Sequence, residues 1–139
     1  TCICCKYLVE NKEVVVYASI IGTWGIKHQN EIAKKELYNF KFNLENILAE
    51  NENVIIAGDL NTSFILKEKR QLAGINSRQE IIEFTNTHKV CRPTESLKDC
   101  IDHIFISQNL NQNTSITTFL DNNELKDEPH KGICLEFTF

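Results

Sequence analysis

A chain of 139 residues, 42% hydrophobic and 24% charged, has room for one domain with a core of ordinary size. Its net charge of −4 argues against a broad basic surface for nucleic acid and leaves space for a local one. No apolar run approaches the length of a membrane span and no Arg-rich or signal-like leader is visible, so a membrane partner is not expected.

Residues 2–9 and 13–20 are short apolar runs around the polar stretch Glu10-Asn11-Lys12-Glu13, which predicts a hairpin of two strands. Gly22-Thr23-Trp24-Gly25 reads as a turn-rich loop. From about Asn30 to Glu50, Ile32, Ala33, Leu37, Phe40, Leu44, Ile47 and Leu48 recur at steps of three and four, the pattern of an amphipathic helix. A buried strand over 53–58 follows directly, and the β-α-β order predicts a parallel pair in a covered sheet. Lys67-Glu68-Lys69-Arg70 is a solvated charge cluster. Ser77 followed by Glu80, with Ile81, Ile82 and Phe84 beyond, has the form of a capping box opening a helix to His88. Pro93 ends what precedes it. Residues 100–107, about 114–120 and 132–139 read as the remaining strands of a single α/β unit spanning 1–139.

The chemistry-bearing stretch is Val54-Ile55-Ile56-Ala57-Gly58-Asp59-Leu60-Asn61. Asp59 and Asn61 fall where a buried strand gives out into a loop, the place where open α/β sheets keep ligand sites. At i and i+2 they leave a strand on the same face, so both can address one water or one phosphate oxygen. A turn of Asp and Asn closing the strand is the plain alternative. Two later segments add weight: Cys100-Ile101-Asp102-His103-Ile104-Phe105-Ile106 and Pro129-His130-Lys131-Gly132-Ile133-Cys134-Leu135.

The six cysteines, at positions 2, 4, 5, 91, 100 and 134, lack the paired spacing of a zinc ribbon. Several sit in apolar strand contexts, where a thiol acts as a small hydrophobe. Buried reduced thiols and a reducing, cytoplasmic compartment are the expectation.

Gly58-Asp59-Leu60-Asn61, the Ile101–Ile106 strand and His130 before a closing apolar strand occur in the order seen in the endonuclease/exonuclease/phosphatase family, which the chain resembles from about Val14 onward. The strand Val14-Val15-Val16-Tyr17-Ala18-Ser19 is similar to the family strand that ends in Tyr. The resemblance implies an α/β fold, part of a deoxyribonuclease I-like four-layered sandwich, with the second sheet and its helices present and the first sheet largely missing. It also implies a metal-dependent phosphoesterase, most simply a phosphodiesterase or endonuclease acting on DNA or another phosphate ester. In-line attack of water on phosphorus would be assisted by Mg2+ or Mn2+. Asp59 would activate the water and Asn61 would bind the water or the phosphate, both as weak metal ligands. His130 would stabilise the phosphate, with Asp102 as its carboxylate partner, and the Tyr17 hydroxyl would contact the site. His103 fills the family's aromatic slot and reads as structural.

The departures are specific. Pro129 stands where the family has an Asp before the His, with Asp127 or Glu128 as nearby substitutes. The family's metal-binding Glu comes from strands that precede this region. The chain begins at Thr1, already inside an apolar segment, and reads as an N-terminally truncated domain. A catalytically silent remnant or binding module of the same fold is therefore the second reading. An uncovered apolar sheet face would favour self-association. Trp24, Lys27 and Arg92-Pro93-Thr94 are weaker loop candidates.

Overall fold

The structure is a computed structural model, and it describes residues 2–22, 30–68, 76–119 and 130–138. Strands β1 (Cys2–Val9) and β2 (Lys12–Ser19) pair antiparallel from Cys2↔Ser19 to Val9↔Lys12. Glu10 and Asn11 both take positive φ, 49° and 63°, the backbone of the two-residue turn that matches strand twist. Helix α1 (Asn30–Glu50) buries Ala33, Leu37, Phe40 and Leu44, the stripe expected from the three- and four-residue spacing. It crosses to β3 (Val54–Asp59), which runs parallel to β2 with Tyr17 opposite Ile56.

Helix α2 (Ser77–Thr87) leads to a short β4 (Val90–Cys91), and β5 (Asp102–Ser107) is followed by a 3-10 turn at Gln108–Leu110. The five-stranded sheet has the order β1-β2-β3-β5-β4. Strands β6 (Ser115–Phe119) and β7 (Gly132–Glu136) do not extend it but form a two-stranded sheet of their own. The Lys131 amide, donating to the Asp102 carboxylate at 3.1 Å, ties that small sheet to β5.

The core lies between α1 and one face of the sheet. There Val15 and Tyr17 of β2, Val54 and Ile56 of β3, and Phe105 of β5 meet Leu37, Phe40 and Leu44. On the opposite face Val16, Ala18, Ile55, Ala57 and Ile104 are only half-buried, and Ile3 and Tyr7 of the edge strand β1 are exposed.

Two local readings of the sequence need correction. Ser77 is not the cap of α2: Asn76 holds that position without a side-chain bond, and the buried Ser77 hydroxyl meets the Thr62 hydroxyl at 2.7 Å. Glu80 instead pairs with Lys41 of α1 at 2.6 Å. Nor are the thiols uniformly buried. All six are free, but Cys2, Cys4 and Cys134 are exposed and only Cys100 is fully buried. The cause is position, since β1 is the sheet edge and β7 sits in a two-stranded sheet with an open face. Among the described residues, no helix is long and apolar enough to cross a membrane.

Candidate active site

Gly58 prepares the site. Its φ of +147° is one that L side chains rarely adopt, and a Cβ there would collide with the Ser19 carbonyl oxygen of β2. Past it, the chain ends are tied together: Ile21 N–H donates to the Asp59 carbonyl and Leu60 N–H to that of Ile101, each at 2.9 Å.

Asn61 lies beyond the strand with φ +45°, so strand alternation does not aim it. An Asx-turn does. The Asn61 backbone N–H donates to Asp59 Oδ1 at 2.8 Å, and its Nδ2 donates to Asp59 Oδ2 at 3.3 Å and to the Ile21 carbonyl at 3.0 Å. The strand-closing turn and the candidate site are the same piece of chain.

Asp59 faces Asp102 directly across the β3–β5 ladder. Asp102 accepts from His130 Nδ1 at 3.1 Å (Oδ2) and from the Lys131 amide. Ligand atoms of Asp59, Asp102 and His130 all lie within 4.8 Å of one another. His130 is half-exposed and Asp102 mostly covered, with side-chain exposures of 52% and 23%. Burial pushes the Asp59 carboxyl above its usual range, and the Asp102 carboxylate pushes the same way. The Asn61 amide and His130 oppose that rise.

The expected residues thus divide. Asp59, Asp102 and His130 form one cluster, with Asn61 bonded to its first member. Tyr17 stands apart: it shares the α1-covered face with Ile56, whereas Asp59 is three residues further along and on the other face. Its ring packs 6.1 Å from Phe40, and its hydroxyl accepts from Asn43 Nδ2 at 3.5 Å. Burial raises the Tyr17 phenol. Arg92 is occupied with Glu95, Thr85 and Asn86. Trp24, Lys27, Asp127, Glu128 and Pro129 lie outside the described residues, as do Lys69 and Arg70 of the charge cluster.

His103 is core, as its slot implied. It is 2% exposed and stands edge-on to Phe64 with ring centres 4.6 Å apart. Burial lowers its pKa to about 4. Ser77 reads in the sequence as a helix cap and Thr94 as a loop candidate, while Thr62, Ser63 and Arg78 went unread; all five are buried. Arg78 donates to the carbonyls of Ser63, Leu66 and Glu68, pinning the loop that leaves the site. A Thr-Ser pair directly after Asn61 was the available signal, since apolar loops do not carry two hydroxyls without partners. Cys100 Sγ bonds the Asp102 carbonyl at 3.0 Å, and burial pushes its thiol up to about 11.

No family model matches the chain, and no curated protein is significantly similar to it in sequence. Solved structures are similar in fold. A 3'-5' exonuclease (NExo) from Neisseria meningitidis superposes with a TM-score of 0.68 at 11% identity, covering 98% of this chain and 65% of its own. The endonuclease domain of TRAS1, a telomere-specific non-LTR retrotransposon, gives 0.64 at 10% identity over 99% and 64% of the two chains. A humanized D. rerio TDP2 gives 0.57 at 15% identity over 99% and 58%. The chain therefore spans less than two thirds of the length of each of these structures, and within that span it has the α/β, deoxyribonuclease I-like fold of the endonuclease/exonuclease/phosphatase family.

Proposed function

We propose that the Asp59–Asp102–His130 cluster is the hydrolytic centre of a divalent-metal-dependent phosphodiesterase acting on nucleic acid. The observation that carries this reading is the cluster itself: two carboxylates and an imidazole within 4.8 Å, drawn from three separate segments. A structural role alone gives no reason to set Asp59 opposite Asp102, because like charges across a strand pair repel. That repulsion is what a cation relieves. The donor set fits Mg2+ or Mn2+, hard ions that take carboxylate oxygens. When bound, the ion polarises a phosphoryl oxygen.

The side chains would do the rest. Asp59, partly covered and held by Asn61 on both oxygens, is the acceptor that aligns the attacking water and takes its proton. Asn61 works through Asp59, since its amide nitrogen is turned to Asp59 and Ile21. Asp102 fixes His130 through Nδ1, which leaves Nε2 for the scissile phosphate. Water oxygen bonds to phosphorus as the ester P–O bond breaks, and the leaving oxygen takes the proton from His130 Nε2. Exonucleases and endonucleases among the structures of similar fold support a nucleic-acid ester as substrate.

Incubation with plasmid DNA and with a labelled oligonucleotide, with Mg2+, with Mn2+ and with chelator, tests the reading. The expected result is cleavage with either metal and none with chelator. Binding of metal and oligonucleotide with no cleavage would replace it with a non-catalytic binding module. Cleavage that ignores chelator would remove the metal from the proposal.

A further inference from the structure

The residue that shares β5 with Asp102 but points the other way does more than fill an aromatic slot. His103 Nε2 lies 3.0 Å from the carbonyl oxygen of Thr62, the residue directly after Asn61. A carbonyl only accepts, so Nε2 carries the proton. The other nitrogen, Nδ1, lies 3.2 Å from Thr94 Oγ1. With Nε2 protonated, Nδ1 accepts, so the one hydroxyl proton of Thr94 is shared between Nδ1 and the Ile104 carbonyl at 3.1 Å, while its oxygen accepts from the Ile104 amide at 3.1 Å. The ring is thus a tether with two fixed ends. One end is the loop that carries Asn61, the other is the strand that carries Asp102.

We propose that His103 is a positioning residue for the active site, holding the exit of the Asp59–Asn61 turn against β5 through its bond to the Thr62 carbonyl, beyond the reach of the β3–β5 ladder that pairs Asp59 with Asp102. The inference rests on the phosphodiesterase reading for its consequence, but not for its geometry. Neighbouring contacts share the work without duplicating it. Ser77 holds the Thr62 hydroxyl and Arg78 holds the Ser63 carbonyl, both from α2; from the side of Asp102, the Ile101 carbonyl holds Leu60 before Asn61 and His103 holds Thr62 after it. A ring required only for packing against Phe64 and Phe105 would be served equally by phenylalanine. That difference makes the proposal testable.

The variants are His103→Phe, which keeps the ring and loses both hydrogen bonds, and His103→Gln, which restores an amide donor near Nε2. Amide hydrogen exchange of Asn61 is the first readout, because its N–H is held by Asp59 Oδ1. In His103→Phe it should exchange about tenfold faster, the effect of about one lost hydrogen bond, while the β3 amides of Ile55 and Ile56 stay at their wild-type rates. His103→Gln should recover most of the protection. Turnover of bis-(p-nitrophenyl) phosphate is the second readout: kcat should fall about tenfold in His103→Phe with KM unchanged, and rise again in His103→Gln. Wild-type exchange at Asn61 in His103→Phe, or acceleration shared equally by all of β3, would overturn the proposal. If His103→Phe fails to fold, Thr94→Val removes the far anchor of the ring, and unchanged Asn61 exchange in that variant would overturn it equally. A wild-type chain that hydrolyses nothing would defeat the phosphodiesterase reading, while the exchange data would still decide whether the tether exists.

Discussion

At His103, burial and hydrogen bonding act in opposite directions on one ring. Burial is the largest influence and holds its pKa at about 4, while its bonds to Thr62 and Thr94 and the adjacent Asp102 carboxylate favour the charged form. The folded state therefore binds the proton less readily than the unfolded chain, where an ordinary His titrates near 6.5. Between those values the unfolded state holds more protons, so stability is complete above about pH 6.5 and declines as the pH falls toward 4. The expected loss is about 3 kcal/mol by the bottom of that window. Urea midpoints measured from pH 7 to pH 4 should fall in the wild type and follow a flatter course in His103→Phe. Parallel curves would show that His103 is not the group responsible. The family resemblance implied that His103 is structural, and the structure places it in the core. The sequence did not disclose the partners, since Thr62 and Thr94 approach from 41 and 9 residues away.

At the scale of elements, periodicity made α1, β2 and β3 legible, because each buries one face or both, and β1 was legible from its apolar run and the turn that follows although it buries neither face. The pairing of β6 with β7 alone was not legible: alternation marks a strand but not its neighbour. A left-handed turn, not strand parity, brings Asn61 to Asp59. Gly58 is where element and site meet. Gly58→Ala would force an L side chain into φ +147° and into the Ser19 carbonyl, separating β3 from β2 at the end that bears Asp59. The expected cost is at least about 2 kcal/mol, read from denaturant unfolding. Equal stability would mean that the close approach of the two strands is not required. By contrast, Leu44→Ala, on the fully buried stripe of α1, should cost about 3 kcal/mol by leaving a cavity, and should leave any cleavage activity of the folded fraction unchanged.

Over the whole molecule, one sheet face is packed by α1 and the other is half-covered, and β1 is an eight-residue edge strand with Ile3 62% exposed and Tyr7 54% exposed. An edge of that length with apolar side chains is a template for pairing, so the 139-residue chain is expected to self-associate. Sedimentation velocity over a hundredfold concentration range should show a rising mass, and Tyr7→Lys should reduce it. A constant monomer would refute the expectation. This face was anticipated from the resemblance to a two-sheet sandwich, but the split of the remaining strands into a five-stranded and a two-stranded sheet required the structure.

The proposed hydrolytic function rests on the cluster at the end of β3 and β5. The most direct measurement is steady-state hydrolysis of bis-(p-nitrophenyl) phosphate with Mn2+ by the wild type, Asp59→Ala and His130→Ala. Metal-dependent turnover is expected in the wild type, with a fall of at least about a hundredfold in kcat for each variant and the fold intact by circular dichroism. Turnover near the wild-type rate in both variants would contradict it.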